Sequence, residues 1–281
     1  MLAGHADELL RRLAAAPAVL VSVQQVRGSG PREVGAWMAV FANALVGTIG
    51  GGRLEFDATE HARALLRGSG GETLRRFALG PSLGQCCGGV VQLAFETIVA
   101  SDRERLRLRF SQASLQHIPV ALFGGGHVGH AIVRLLGTLP VRIHWIDSRE
   151  EVFPDALPAT VLCDHSEPVQ AAVPSLDAGS NVLIMSFSHA EDLDVVAACL
   201  KRQRERGDLP FIGLIGSKSK WATFRRRLEA RGFSAAELAR VTSPIGVPGV
   251  WGKEPEVIAV AVAAQLMQRR GAAQASFSAE G

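Results

Sequence analysis

The chain has 281 residues, enough for two domains that each bury a core. Hydrophobic residues make up 47% of it and charged residues 20%, as in a typical globular protein. The net charge of +3 is too small to indicate a nucleic-acid partner, and no apolar stretch reaches the roughly 18 residues of a membrane span. Acidic residues precede the first arginines, which is not the order of a secretory signal, so we expect a cytoplasmic protein with reduced thiols.

Residues 1–100 predict a smaller α/β domain. Short apolar runs between turn formers predict strands, and apolar residues at helical spacing predict helices. The predicted elements are helices over 2–15 and 54–67 and strands over 19–26, 37–41, 45–49, 73–79 and 90–98. Ser101 and Glu104 predict a capping box for a linker helix within residues 101–117.

Three consecutive glycines, Gly50, Gly51 and Gly52, directly precede the second predicted helix. Each glycine loses much backbone entropy on folding, so this run needs a reason. Either a phosphate or pterin-like ligand approaches the backbone here, or the domains pack tightly, and the sequence leaves both open. Arg32 and Arg53 flank the glycine loops, and an arginine can bind a phosphate through two N–H groups.

The second half opens with a dinucleotide-binding fingerprint. An apolar run over residues 120–123 meets Gly124, Gly126 and Gly129, and a helical pattern follows at once. The first glycine allows a tight turn, the second lets a pyrophosphate approach the backbone, and the third lets the helix pack on the strand. The next apolar run ends at Asp147. This order favours a nucleotide-binding Rossmann half over a ligand-free α/β unit.

Asp147 lies about 20 residues beyond the glycines, where a carboxylate accepts a ribose 2′-hydroxyl. We therefore expect NAD to be preferred over NADP, with Arg149 nearby softening that preference. His127 follows the glycines at the predicted helix start. It either donates to a phosphate or simply packs there.

Strands alternate with helices through the rest of the chain, which predicts a parallel sheet. The further strands are predicted over 159–163, 181–185 and 211–215, with helices over 190–206 and 255–269. A Rossmann-like domain over 118–271 with a frayed tail over 272–281 results. Ser217, Lys218 and Lys220 lie at the start of one helix, where they form either an anion site or an ordinary cap.

Cys86 and Cys87 sit in a glycine-bounded loop that leaves backbone N–H groups free to stabilise a thiolate. A lowered thiol pKa would make such a cysteine nucleophilic or metal-binding, although both residues could also be small buried hydrophobes. Cys163 and Cys199 are interpreted as core residues. His165 and His189 are too far apart in sequence to predict a zinc site, so no metal site made by protein ligands alone is expected.

Five segments together resemble the XdhC/CoxI family, the xanthine dehydrogenase accessory proteins, over nearly the whole chain. They are residues 28–32; residues 47–55; residues 85–89; residues 123–129 with 145–149; and residues 216–220 with 244–246. The departures from the family pattern are small: Gly30 stands where alanine is common, and Asn43-Ala44 replaces a more usual Asp-Gly turn.

This resemblance implies a chaperone that binds molybdenum cofactor, assists its sulfuration with a cysteine desulfurase and inserts it into a molybdenum hydroxylase such as xanthine dehydrogenase. It implies an accessory protein rather than a turnover enzyme, and we expect a homodimer. Whether the Rossmann half holds NAD(P), a nucleotide form of the cofactor or the pterin phosphate is left open. The alternative function is an NAD(P)-dependent oxidoreductase, although the absence of tyrosine excludes a Tyr-x-x-x-Lys acid–base pair.

Overall fold

The computed structural model describes residues 2–79, 89–114 and 117–279. The chain divides into two compact units, Met1–Gln112 and Ala113–Gly281, and this division falls inside the predicted linker over residues 101–117. Within the described ranges, no helix combines the length and the apolar character needed to cross a bilayer.

The first unit is built around a five-stranded antiparallel sheet. Its strand order is β3-β2-β1-β5-β4. The elements are α1 (Leu2–Leu13), β1 (Ala18–Arg27), β2 (Trp37–Val40), β3 (Leu45–Gly47), α2 (Gly52–Leu66), β4 (Leu74–Ala78), β5 (Val90–Ile98) and α3 (Arg103–Ser114).

Strand β1 has two buried faces because side chains alternate along a strand. Val19 and Val21 pack on one face with Leu54 of α2. Ala18 and Leu20 point the other way, into a second cluster with residues of α1 and α3. The sheet is therefore covered by helices on both faces.

The second unit is a six-stranded parallel sheet with the order β11-β10-β9-β6-β7-β8. Its strands are β6 (Ile118–Phe123), β7 (Val141–Asp147), β8 (Val161–His165), β9 (Asn181–Ile184), β10 (Phe211–Leu214) and β11 (Val241–Thr242). Its helices are α4 (His127–Leu136), α5 (His189–Arg206), α6 (Lys218–Ala230), α7 (Ala235–Leu238) and α8 (Pro255–Ala279).

The chain reverses direction across this sheet at β6, which pairs with β7 on one side and β9 on the other. Numbered from β6, the strands run 3-2-1-4-5-6, the order of a dinucleotide-binding Rossmann domain. In such sheets, ligands bind outside the carboxyl ends of the strands at this switch point. The predicted fold class is confirmed: a Rossmann-like parallel sheet preceded by a smaller α/β unit.

Two apolar clusters cover the faces of the parallel sheet. On one face, Val196 and Leu200 of α5 pack with Phe224 of α6. On the other face, Ile132 of α4 packs in one cluster with Val262 of α8. Helices on both faces explain why the strands are nearly continuous apolar runs rather than alternating ones.

Several predicted details were wrong. Glu104 does not complete a capping box with Ser101; it pairs with Arg107, while Asp102 accepts the Val99 N–H at 2.9 Å. Helix α8 continues to Ala279, well past the predicted end at 269, because the alanine-rich segment that follows has high helix propensity. Neither β11 nor the 3₁₀ helix Val169–Ser175 was predicted, since both are too short to show a periodic pattern.

A buried ion pair ties together the carboxyl ends of two strands. Asp192, near the start of α5, accepts the Ser186 N–H after β9 at 2.7 Å. Its other oxygen accepts Lys220 Nζ at 2.6 Å, and Lys220 also donates to the Ile215 carbonyl after β10 at 2.9 Å. The side chains of Asp192 and Lys220 are 3% and 12% exposed, so water cannot solvate either charge if its partner is removed.

Asp192→Ala should lower the free energy of unfolding by about 3–5 kcal/mol, because it leaves a buried ammonium unpaired. Asp194 is the matched control, because it lies on the same helix as Asp192 and its ion pair with Arg231 is exposed. Asp194→Ala should cost only about 0–1 kcal/mol. Urea unfolding followed by tryptophan fluorescence measures both, and equal losses would show that the buried pair does not hold the strand ends together.

Candidate functional site

The glycine turn after β6 is fixed by close backbone packing. A Cβ at Gly124 would lie 2.0 Å from the Met185 carbonyl oxygen, and Gly124 has a φ of 126°. A Cβ at Gly129 would lie 2.1 Å from the Gly124 carbonyl oxygen. That same oxygen accepts the Trp145 Nε1–H at 3.0 Å. The fold itself therefore requires the first and third glycines of the fingerprint.

Gly126 is different, because nothing in the described fold requires it. It caps α4 with a φ of −79°, and no atom lies within 4 Å of the position that its Cβ would take. The residue is exposed, as is His127 at the first position of the helix. The N–H groups of the first helical turn lack intrahelical partners and favour an anion. An open backbone position of this kind fits the role predicted for the second glycine, close approach of a phosphate.

Asp147 ends β7 and is only 1% exposed. One carboxylate oxygen accepts the Arg149 N–H and Nε–H, both at 2.9 Å. The other accepts the Gly125 N–H and Arg149 Nη2–H. These hydrogen bonds to Asp147 raise the pKa of the Arg149 guanidinium. The carboxylate predicted to bind a ribose accepts hydrogen bonds from the glycine turn and from its own neighbouring arginine.

The predicted anion site at the start of α6 is only partly available. The Ser217 hydroxyl accepts the Lys220 N–H at 3.1 Å and so acts as the helix cap. Lys220, also considered from the sequence, is committed to Asp192. Lys218 is exposed at the first position of the helix and is the cation available there.

His165, at the end of β8, and His189, after β9, contact different neighbours. His165 Nε2 lies 3.1 Å from the Ser148 carbonyl oxygen. His189 begins α5 and packs edge-on against Phe224. Across the residues that the structure describes, no group of three or more His, Cys, Asp or Glu side chains could hold a metal ion.

In the first unit, an acidic side chain binds the backbone of the three-glycine run at the start of α2. Gly50, Gly51 and Gly52 all have positive φ values of 123°, 77° and 65°. Glu55 in the first helical turn accepts the Ile49 N–H at 3.0 Å and the Gly51 N–H at 3.1 Å. A carboxylate of the protein thus occupies part of the anion-binding position offered by the turn. The signal for it in the sequence was an acidic residue in the first turn after a glycine run.

The segment over residues 28–32 contacts two of the other first-unit motifs. A Cβ at Gly50 would lie 2.5 Å from Pro31 Cβ, and one at Gly89 would lie 2.1 Å from the Ser29 carbonyl oxygen. The Gly89 carbonyl also accepts the Leu79 N–H at 2.7 Å. Close packing within this unit therefore accounts for Gly50 without a ligand.

The structure describes the surroundings of the two predicted site arginines but not those of the two predicted site cysteines. Arg53 pairs with Asp57 at 2.9 Å and lies over the Phe56 ring. Arg32 is half-buried beside Gly50. Cys86 and Cys87 lie outside the described residues.

The other two cysteines are poor nucleophiles. Burial raises the pKa of the Cys199 thiol to about 12, and it also raises the pKa of the Cys163 thiol. Both residues pack with the apolar clusters of the parallel sheet, as predicted for core positions.

Sequence reasoning missed an apolar pocket beside the carboxyl end of β10. Its volume is about 220 Å³, and its lining includes Ile215, Ile245 and Val257. The segment over residues 246–252 borders it and carries Trp251, which is 90% exposed. Glycines at every third position of this segment, Gly246, Gly249 and Gly252, were the signal in the sequence.

Two buried hydroxyls at the same edge were also missed. Within the described residues, Ser186 Oγ after β9 and Ser243 Oγ after β11 are shielded from solvent and have no hydrogen-bond partner. A buried hydroxyl without a hydrogen-bond partner costs free energy.

The fold and the glycine turn define a two-unit protein whose second unit is a Rossmann-like domain. The model of the XdhC Rossmann domain matches residues 120–266, and that of the XdhC and CoxI family matches residues 12–78. The chain therefore belongs to the XdhC family.

Two similar proteins extend the comparison. The uncharacterized protein YqeB of Escherichia coli (strain K12) is 26% identical over 258 residues, which cover 90% of this chain and 43% of YqeB. The chain thus spans less than half the length of that curated relative. A crystal structure from Bacillus halodurans, described as a xanthine dehydrogenase, is similar with a TM-score of 0.71 at 20% identity. The similarity covers 94% of this chain and 95% of that one and shows a shared fold.

Serine substitutions should distinguish Gly129, which the packing requires, from Gly126, which lies in open space. Gly129→Ser should lower the melting temperature by roughly 3–10 °C, because its Cβ would collide with a backbone oxygen. Gly126→Ser should leave it unchanged or slightly higher, since the space is open and serine is a favourable helix cap. Differential scanning calorimetry compares them, and a large loss in Gly126→Ser would mean that the fold requires this glycine after all.

Proposed function

We propose that this protein is a maturation factor that binds molybdenum cofactor and delivers it to a molybdenum hydroxylase such as xanthine dehydrogenase. Membership of the XdhC family supports this assignment. The observation that carries it is the open backbone at Gly126, at the start of α4 in a Rossmann domain. That position accommodates a phosphate, which molybdenum cofactor carries.

The cofactor's phosphate would sit at the N–H groups of the first turn of α4, with His127 beside it. Lys218 at the start of α6 would add positive charge at the same sheet edge. When bound, the cofactor would supply the molybdenum that the hydroxylase uses, and the chain would bind and orient it.

Cys86 and Cys87 are our candidates for handling sulfur. Burial raises the pKa of the Cys163 and Cys199 thiols, which makes them poor nucleophiles, so Cys86 and Cys87 are the better candidates for accepting sulfur. A thiolate of the pair would accept the outer sulfur of a persulfide on a cysteine desulfurase. One S–S bond breaks and one forms, the desulfurase thiolate leaves, and no net oxidation occurs. We place these events in the cytoplasm and expect a homodimer.

An NAD(P)-dependent oxidoreductase remains the second candidate, and the strand order 3-2-1-4-5-6 favours it. It would need an acid–base residue at the carboxyl edge. Of the histidines that follow β8 and β9, His165 contacts a backbone carbonyl and His189 packs on a phenylalanine ring. Neither has the carboxylate partner that orients a catalytic histidine.

Gly126→Val should abolish retention of the cofactor while leaving the fold intact, because the branched side chain occupies the space of the incoming phosphate. Gly4→Val is the control, since Gly4 is also surrounded by open space but lies in the first unit. Calorimetry with anaerobically prepared molybdenum cofactor measures the affinity. Unchanged binding by Gly126→Val would place the ligand elsewhere.

The double variant Cys86→Ser, Cys87→Ser should weaken cofactor retention and fail to yield active, sulfurated hydroxylase in a reconstitution with desulfurase and apo-enzyme. Any simple nucleotide bound by the Rossmann half should be retained. Cys163→Ser is the control and should support full reconstitution. If the double variant performs as well as the wild type, the pair has no part in sulfur transfer.

A further inference from the structure

One face of the sheet in the first unit is covered by helices at one end only. Ala18 and Leu20, at the start of β1, pack there with residues of α1 and α3. Further along β1, the same face carries Gln25 and Arg27, and both of these residues are exposed. The carboxyl end of this strand is therefore open to solvent on that face.

A β-bulge in β1 places these two side chains on the open face. The strand has one extra residue between Val23 and Gln25 relative to its partner β5. Because side chains alternate along a strand, an extra residue exchanges the faces of all residues that follow it. Val26 consequently packs with Val23 in the apolar cluster beneath α2, and Arg27 lies on the opposite face. Bulges of this kind commonly redirect side chains beside functional sites.

The open face holds a small cavity lined by two arginines and two glutamines. Gln25 of β1 lies opposite Gln92 of β5, and Gln92 lies opposite Arg76 of β4, so the three form one row across the sheet. Arg27 lies in the next row with Val90, and both line the same cavity. Its volume is about 130 Å³. Pockets for drug-sized ligands begin at about 300 Å³, so this one suits a single small group.

The charges in this cavity are not compensated. Among the residues that the structure covers, the side chains of Arg27 and Arg76 have no ion-pair or hydrogen-bond partner, and neither glutamine amide has one. Residues 80–88, which connect β4 to β5, include no acidic residue in the sequence. Glu96 lies further along β5 on the same face, but it already pairs with two arginines of α3.

Protection of a sheet edge explains only one of the two arginines. Charged side chains on an edge strand discourage pairing with another sheet. This accounts for Arg76, because β4 is an edge of the sheet, but Arg27 lies on the central strand β1. Opposite charges on neighbouring strands stabilise a sheet, and the residue opposite Arg76 is a neutral glutamine. An anion that enters the cavity would supply the missing negative charge.

We infer that this cavity binds a tetrahedral oxyanion, either as the free ion or as the terminal phosphate of a small ester. An arginine can donate two parallel N–H groups to the oxygens of such an anion, and the charge strengthens both hydrogen bonds. The two glutamine amides offer additional N–H donors. This site is separate from the turn at Gly126, which belongs to the second unit, and it does not rest on the proposed function.

The position of the cavity relates it to two of the sequence motifs. Strand β1 ends at Arg27, directly before residues 28–32. Strand β4 ends at Ala78, shortly before the connection that carries the two adjacent cysteines. A bound anion would therefore lie at the end of the sheet where both segments begin.

Calorimetry with inorganic phosphate tests the site, on the Gly126→Val chain so that the turn before α4 does not contribute. Phosphate should bind once per chain. Arg27→Gln and Arg76→Gln should each weaken it at least about tenfold, because each removes charge-assisted hydrogen bonds. Arg75→Gln is the matched control, since Arg75 is the adjacent residue of β4 but lies over the Phe77 ring of the covered face. It should change the affinity less than about twofold.

Glycerol phosphate and acetate, at equal ionic strength, define the ligand. Binding of glycerol phosphate as tight as that of inorganic phosphate identifies an ester site, and binding of inorganic phosphate alone identifies a site for the free ion. Acetate should bind at least about tenfold more weakly, because it has one charge and two oxygens. The inference is overturned if phosphate does not bind, if acetate binds equally well, or if the arginine variants bind like the control. Loss of molybdenum cofactor binding elsewhere in the chain would not alter these results, so the two proposals can fail separately.

Discussion

The hydrogen bond between the Gly125 N–H and the Asp147 carboxylate joins the turn after β6 to the end of β7, and the site depends on it. A glycine turn before a helix exposes backbone N–H groups that favour an anion. Here a buried carboxylate satisfies one of them permanently, which fixes the turn and leaves Gly126 as the open position. Gly125 therefore holds the turn in place, while the adjacent Gly126 remains accessible to a ligand.

The first unit uses the same arrangement independently. Gly51 precedes α2 as Gly126 precedes α4, and Glu55 accepts its N–H from within the helix. In both units an acidic side chain of the chain itself occupies part of an anion-binding turn. A glycine-rich turn in sequence therefore does not by itself identify a phosphate site. The space around each glycine distinguishes the positions that packing requires from those it leaves open.

The sequence predicted the fold well because long apolar runs and glycine turns are local signals. The alternation of strands and helices over residues 118–271 was enough for a parallel sheet, and β5 was predicted to the residue. The sequence could not predict that Lys220 is paired with Asp192, because the two residues are 28 positions apart and only the fold brings them together. The filled carboxylate of Asp147 was equally hidden, because it depends on the side-chain conformation of Arg149. Spacing shows where a charge lies in the chain but not whether it is already paired.

The contact between the Leu79 N–H and the Gly89 carbonyl has an evolutionary consequence. It extends the pairing of β4 and β5 by one rung, so Leu79 and Gly89 lie opposite each other at the end of this strand pair. The free energy of closing a loop changes only slowly with its length. Natural selection could therefore lengthen, shorten or exchange the cysteine-bearing segment without rebuilding the sheet, and relatives with different chemistry could share this scaffold.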